Sequence, residues 1–207
     1  VLDLVVSFLV LLVVAPFFAL IGLLVMFDSG TPVIFRQKRM GFGNRQFTFY
    51  KFRTMYRDAE SKKDELRDLS KLKGPVFKIK NDPRITRMGK ILRRFSLDEL
   101  PQLFNVLKGS MSLVGPRPLP MIDIEHPELL HPKEVHIDPA RYRVWLIQRH
   151  SVPPGLTGLW QIKGRSDLPL EAWFNYDLEY VKTRSIWLDS KILMKTVPVV
   201  ILGKGAQ

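Results

Sequence analysis

The sequence predicts an α/β protein of the α+β type, in which a hydrophobic membrane segment precedes a small globular domain with short β-strands and amphipathic helices. Three observations carry that expectation. Leu4–Phe27 holds no charged residue and is long enough to cross a bilayer as a helix. Val33–Tyr56 contains two β-rich runs separated by a Gly-containing loop. Beyond it, apolar residues recur at helical spacing in Asp82–Phe95 and again from Leu100 to Leu107.

The chain has 207 residues, enough for one sizeable domain with an appendage. We expect residues 1–30 to form the membrane segment and 31–207 the globular domain. A formal net charge of +12 and a pI near 10.0 call for an anionic partner: nucleic acid, phosphorylated metabolites or anionic lipid. The apolar N-terminus, with no recognisable nucleic-acid motif, argues against the first of these. There are no cysteines, which excludes disulfides, thiolate catalysis and Cys-based metal centres. The chain opens on Val1 and enters the apolar run at once, as a segment of a longer protein would.

A cleaved signal peptide would show a shorter apolar core and a basic start, whereas this run is long and begins beside Asp3. A single spanning helix satisfies the hydropathy. Pro16 sits in the middle, however, and its ring and missing N–H disturb a helical ladder. A helix broken at Ala15–Pro16 could enter the membrane and turn back if the freed backbone groups found partners. The residues alone leave both arrangements open.

Val33–Phe35 and Phe47–Phe52 read as strands around a basic loop, Arg39–Arg45. Lys51 and Arg53 alternate with Tyr50 and Phe52, so both cations are expected on one strand face. That face is either solvated or an anion-binding edge. Asp58–Lys73 mixes charges with leucines at helical spacing and reads as an exposed scaffold helix. In Asp82–Phe95, an apolar stripe of Ile85, Met88, Ile91, Leu92 and Phe95 is flanked by Arg84, Arg87, Lys90, Arg93 and Arg94. A basic amphipathic helix of this kind suits a membrane interface with anionic lipid.

Phe95–Pro118 is the chemically suggestive stretch. Ser96 precedes Glu99 by three residues, the spacing of a capping box, which would put Asp98 and Glu99 in the first turn of a helix. Leu100, Leu103, Phe104 and Leu107 would form its core-facing stripe. Carboxylates at a helix start remain ionised, available as nucleophile or metal ligand. Neighbours project about 100° apart around a helix, so the two need not share a role. Mg²⁺ shared with a diphosphate would suit Glu99, and Asp98 could attack phosphorus. Arg93 and Arg94 could neutralise phosphate charge. Gly115–Pro118 presents one guanidinium, Arg117, between two rigid prolines.

His126, His131 and His136 recur every five residues, but Pro127 and Pro132 break any helix there, so a surface loop is expected. Pro153–Arg165 reads as loop, short strand and turn. Trp173, Tyr176, Tyr180 and Trp187 suit core packing, and Lys191–Leu202 a final apolar helix too short to span.

YKFRTM (Tyr50–Met55), the long run from Asn81 to Pro118 and PGLTGLWQIKGR (Pro154–Arg165) resemble the bacterial sugar transferases of the monotopic polyprenyl-phosphate phosphoglycosyl transferase family. The resemblance extends from the hydrophobic segment to Gly203–Ala206. It implies a UDP-sugar donor, a polyprenyl (undecaprenyl) phosphate acceptor, Mg²⁺, and a catalytic domain on the cytoplasmic face of the bacterial inner membrane. On it, Asp98 is the nucleophile, Glu99 the Mg²⁺-associated carboxylate, Arg93 a phosphate neighbour and Pro116-Arg117-Pro118 the donor-nucleotide motif. Pro16 is then the kink of a re-entrant helix, preceded here by Ala15 where some members carry serine. Larger members add membrane helices and a soluble domain ahead of this unit.

A competing reading is a non-enzymatic domain that binds anionic lipid through Arg84–Arg94, with Asp98 and Glu99 acting only as a cap. The sugar is not specified by the sequence, and a homo-oligomer is compatible with it.

Overall fold

One stripe of the N-terminal helix organises the rest of the chain around it. The computed structural model describes residues 2–59, 61–62, 82–125, 138–164 and 168–203. Helix α1 (Leu2–Ser29) is 28 residues long and carries Pro16 inside it without ending there. At about 1.5 Å per residue it reaches roughly 42 Å. Its inward positions recur every three or four residues: Asp3, Ser7, Leu11, Val14, Phe18, Ile21, Val25 and Asp28. Ser7, Ile21 and Val25 are buried, while Phe8, Leu12, Val13, Phe17, Leu23 and Phe27 point outward, each more than half exposed. Both ends are tied to the same body. Ser112 donates a hydrogen bond to Asp3 Oδ2 at 2.6 Å, and the Met88 N–H donates to Asp28 Oδ2 at 2.9 Å.

Strands β1 (Ile34–Met40) and β2 (Gln46–Phe52) form an antiparallel hairpin, with Phe35 opposite Lys51 and Gln37 opposite Phe49. Phe49 and Phe52 fall on opposite faces, and both are buried. Phe49 joins the main core with Leu103, Val106, Met111, Leu113 and Ile192, whereas Phe52 packs with Ile21, Val25 and Leu92. Helix α2 (Arg87–Arg94) starts at Thr86, whose Oγ1 accepts from the Gly89 N–H at 2.9 Å. Asp28 satisfies the neighbouring Met88 N–H, so α1 and α2 are joined at a helix cap.

The structure revises the sequence reading around α2. Arg84 is not on a lipid-facing surface: it is buried and paired with buried Asp82 at 2.7 Å, because the turn before α2 folds it inward. The exposed residues of this helix and its end are Arg87, Lys90, Ile91, Arg94 and Phe95. The capping box does not form either. Ser96 adopts a left-handed backbone (φ 54°) and its side chain caps nothing, so Leu97–Glu99 is a single 3₁₀ turn. Helix α3 (Gln102–Leu107) begins only after Pro101. Its stripe is consequently rotated: Gln102, Leu103, Asn105 and Val106 are buried, and Phe104 is exposed, its ring nearly perpendicular to that of Phe18. Asn105 pins α3 to the hairpin, donating to Thr48 O and accepting from the Tyr50 N–H.

Strands β3 (Ser112–Val114) and β4 (Gly155–Thr157) pair in parallel. Between them lie α4 (Met121–Glu125) and α5 (Pro139–Arg149). After β4 come α6 (Leu159–Lys163), α7 (Leu170–Thr183) and α8 (Ile186–Ile201). The strand expected within Pro153–Arg165 is therefore present, but its Trp160 end is helical, since burial of Leu159 and Trp160 outweighs the turn composition. Tyr142, Trp145, Trp160, Trp173 and Phe174 make a second, aromatic core, with Trp145 and Phe174 stacked at 4.0 Å. Trp173 and Tyr180 are core residues as expected, but Trp187 is 77% accessible. The three histidines at 126, 131 and 136 and most of Asp58–Lys73 lie outside the described residues.

Candidate active site

The 3₁₀ turn after α2 delivers two carboxylates to one place. Asp98 is buried, and its carboxylate accepts no hydrogen bond from a described residue. Glu99 is held by Arg117 in a fork: Nη2 to Oε1 at 2.5 Å and Nη1 to Oε2 at 3.2 Å. These two side chains are 22% and 23% accessible, so they form the open mouth of the site.

Four cations surround the pair, each from a different segment: Arg39 from β1, Lys51 from β2, Arg93 from the last turn of α2, and Arg117 from the loop after β3. Arg93 donates to Thr54 Oγ1 at 2.9 Å. Burial pushes the Asp98 carboxyl above the usual range and the Glu99 charge adds to this, while Lys51, Arg93 and Arg117 pull it down. Burial acts on Glu99 in the same direction, but the charge and hydrogen bonds of Arg117, with Lys51 and Arg39, outweigh it and hold Glu99 low. One carboxylate is thus firmly ionised and the other is desolvated and poised. Burial, followed by the Arg93 charge, pulls Lys51 down to about 8.

The loop that presents Arg117 is secured through its carbonyls. Pro116 O accepts from the Gly155 N–H at 2.9 Å, and Arg117 O from Arg149 Nη2 at 2.6 Å. Pro118 O accepts from Arg39 Nη1 at 2.7 Å, and Leu119 O from the Met40 N–H at 3.2 Å. Prolines 116 and 118 contribute no N–H of their own, so anchoring from outside is what fixes this segment.

Of the residues singled out from sequence, Asp98, Glu99, Arg93, Arg117, Lys51 and the two flanking prolines converge. Arg53 does not join them. Strand β2 ends at Phe52, and the charge that bears on Arg53 is that of Arg57. Sequence reasoning missed Arg39, which was set aside as part of a basic loop. It is buried in β1, with its guanidinium 3.9 Å from the Phe49 ring centre. It also missed Arg149 and Asp177, for which no local pattern exists. Among the described residues no group of three or more His, Cys, Asp or Glu gathers as a metal site. A separate cavity of about 310 Å³, lined by Ser112, Tyr180, Arg184 and Asp189, includes neither Asp98 nor Glu99.

A desolvated carboxylate pair inside a ring of cations is the constitution of a site for anionic, phosphorylated substrates. The chain matches the bacterial sugar transferases over residues 1–203 and belongs to that family. It is 43% identical over 211 residues to the undecaprenyl-phosphate glucose phosphotransferase of Komagataeibacter xylinus, covering 99% of this chain and 36% of that protein. It is 39% identical over 208 residues to the undecaprenyl-phosphate galactose phosphotransferase of Salmonella typhimurium, covering 99% of this chain and 40% of the relative. The exopolysaccharide production protein ExoY of Rhizobium meliloti is 36% identical over 211 residues, 99% of this chain and 85% of that protein. The chain therefore spans less than half the length of the first two and most of the third.

Proposed function

We propose that this chain is a membrane-bound phosphoglycosyl transferase unit that moves a sugar 1-phosphate from a UDP-sugar to polyprenyl (undecaprenyl) phosphate, releasing UMP. It would catalyse the first membrane step of surface polysaccharide or glycoconjugate assembly. The observation that carries this reading is buried Asp98, free of hydrogen bonds to described residues, beside the Glu99–Arg117 fork and within a cationic frame. The names of the Komagataeibacter and Salmonella relatives support the carrier and make UDP-glucose and UDP-galactose the first donors to test.

In the first half-reaction an Asp98 carboxylate oxygen attacks the β-phosphorus of the donor. The bond from that phosphorus to the bridging oxygen breaks, and its electron pair leaves with UMP. The sugar phosphate remains on Asp98 as an acyl phosphate. In the second, a phosphate oxygen of the polyprenyl carrier attacks the same phosphorus, the acyl–phosphate bond breaks, and the Asp98 carboxylate returns. Lys51, Arg93 and Arg117 balance the diphosphate charge and the charge that builds on the leaving oxygen. The carbonyl anchors on the Arg117 loop keep that guanidinium in place.

The donor set fits one Mg²⁺. Asp98 has unshared oxygens in a desolvated position, and each Glu99 oxygen keeps a lone pair beyond its bond to Arg117. Glu99, with Asp98 beside it, would hold the ion, which would neutralise the diphosphate during transfer.

We place the unit on the cytoplasmic face of the inner membrane, with both ends of α1 at that face; the helix runs through Pro16 unbroken, and a return to the same face would need it to bend there. Support comes from the two ends of α1, since Asp3 and Asp28 are both bonded to one globular body. For α1 to span a hydrocarbon core about 30 Å thick, the polar body bonded to both of its ends would have to cross that core beside it.

Asp98→Asn tests the mechanism. The substitution removes the nucleophile, so UMP release from UDP-sugar should fall by roughly 10⁴-fold or more. Retained UMP release by a folded Asp98→Asn protein would overturn the covalent route.

A further inference from the structure

We propose that Arg149 and Asp177 are positioning residues for the donor site, a buried pair that fixes the backbone of Arg117 and thereby aims its guanidinium. This rests on the reading of Arg117 as a donor contact. Arg149 ends α5 and Asp177 lies in the middle of α7, and each is only 3% accessible. Arg149 Nε meets Asp177 Oδ2 at 3.0 Å, while its Nη2 reaches Arg117 O at 2.6 Å. Its guanidinium also lies 4.4 Å from the centre of the Trp145 ring, which fixes its plane.

The carbonyl it grips is the one between two prolines that have no N–H to give. With Pro116 O held by Gly155 and Pro118 O held by Arg39, Arg149 supplies the central of three successive anchors. A buried ion pair is a poor device for stability alone, because an apolar pair of similar volume often serves as well. It is a good device for placing a hydrogen-bond donor at one point. Lysine could keep the charge opposite Asp177 but has no second arm for the carbonyl. Burial outweighs the Arg149 charge and pushes the Asp177 carboxyl up to about 6, as expected where the pair is strongly desolvated.

The test is a double-mutant cycle on the full membrane-solubilised chain, with UDP and Mg²⁺ as the probe in calorimetry and acceptor kinetics alongside. Arg149→Lys should weaken UDP binding by about tenfold, the loss of a charge-assisted hydrogen bond. The KM for polyprenyl phosphate should not change. In an Arg117→Ala background, Arg149→Lys should cause no further loss, since its effect passes through Arg117. Asp177→Asn, which keeps the shape of the side chain, should weaken UDP in the same direction. Wild-type UDP affinity in Arg149→Lys, or a full additive loss on top of Arg117→Ala, overturns the inference. Failure of both Arg149→Lys and Asp177→Asn to fold assigns the pair to stability and overturns it too. Absence of UDP binding by the unaltered chain overturns the donor reading itself, and this inference with it.

Discussion

Arg117 and Glu99 meet as a two-bonded fork at the mouth of the site, although they lie 18 positions apart in sequence with α3 and β3 between them. The fork sets up a competition. A donor diphosphate arriving at Arg117 must share the guanidinium with Glu99, and any cation bound at Glu99 must share its oxygens with Arg117. Arg117→Lys keeps the charge but loses the planar pair of donors. It should lower kcat/KM for the UDP-sugar at least about tenfold, mostly through KM. Glu99→Gln should raise the Mg²⁺ concentration needed for half-maximal rate. Titrating Mg²⁺ at fixed donor in the two variants separates these effects; an unchanged Mg²⁺ requirement in Glu99→Gln removes Glu99 from the metal site.

The fork also marks how much the sequence disclosed. Asp98, Glu99, Arg93 and Arg117 were legible because they sit in a dense local pattern, and Lys51 because strand parity put it on a charged face. The capping box between Ser96 and Glu99 was a false lead: the left-handed backbone at Ser96 and the pull of Arg117 give Glu99 a different partner. Arg53 was assigned by the same parity as Lys51, but parity holds only while the strand lasts, and β2 stops at Phe52. Arg84 looked lipid-facing because nothing in its own segment shows that a turn will fold it back on Asp82. Arg39, Arg149 and Asp177 matter only through contacts made across the fold, which no spacing rule reports.

Lys51 gives the site a basic limb. Its ammonium titrates near 8, so the cation facing Asp98 is progressively lost above that pH. The kcat/KM for the donor, which reports the free enzyme, should fall above about pH 8. Lys51→Arg should carry the activity further into the alkaline range. Stability runs the other way. The folded value lies below the ordinary 10.5, so the unfolded chain holds more protons between about 8 and 10.5, and stability rises with pH across that window. Lys51→Met should therefore melt higher than wild type at pH 7 while losing donor affinity, with the gap closing towards pH 10. A lower melting temperature at pH 7 would contradict this.

The parallel pair β3–β4 allows the Arg117 loop to lie close against the strand beside it. A Cβ at Gly155 would stand 2.1 Å from the Gly115 nitrogen, and one at Gly115 would stand 2.4 Å from Pro153 O. These are backbone atoms, so no side chain can give way. Gly155→Ala should cost about 3 kcal/mol or more and displace the carbonyl anchor at Pro116. Thermal unfolding in detergent, with UDP affinity measured on any folded fraction, checks both effects. A stable variant with normal UDP binding would show that the strands part more easily than this packing implies.

The arrangement of α1 can be tested independently of the chemistry. Its inward stripe runs its whole length, and hydrogen bonds at Asp3 and Asp28 hold the two ends to one body. Single cysteines introduced at exposed Leu4 and at Ser29, in a chain with none of its own, give two clean reporters. In sealed inverted vesicles, whose outer surface is the cytoplasmic one, a membrane-impermeant maleimide should reach both sites if α1 returns to the face it entered. Breaking the tether with Asp3→Ala should loosen only the N-terminal reporter and raise its labelling rate, because Ser112 loses its acceptor there. If Leu4→Cys is labelled only in right-side-out vesicles, α1 crosses the bilayer. The contact between Asp3 and Ser112 then cannot form in the membrane, and the packing of the N-terminal half of α1 against α3 fails with it.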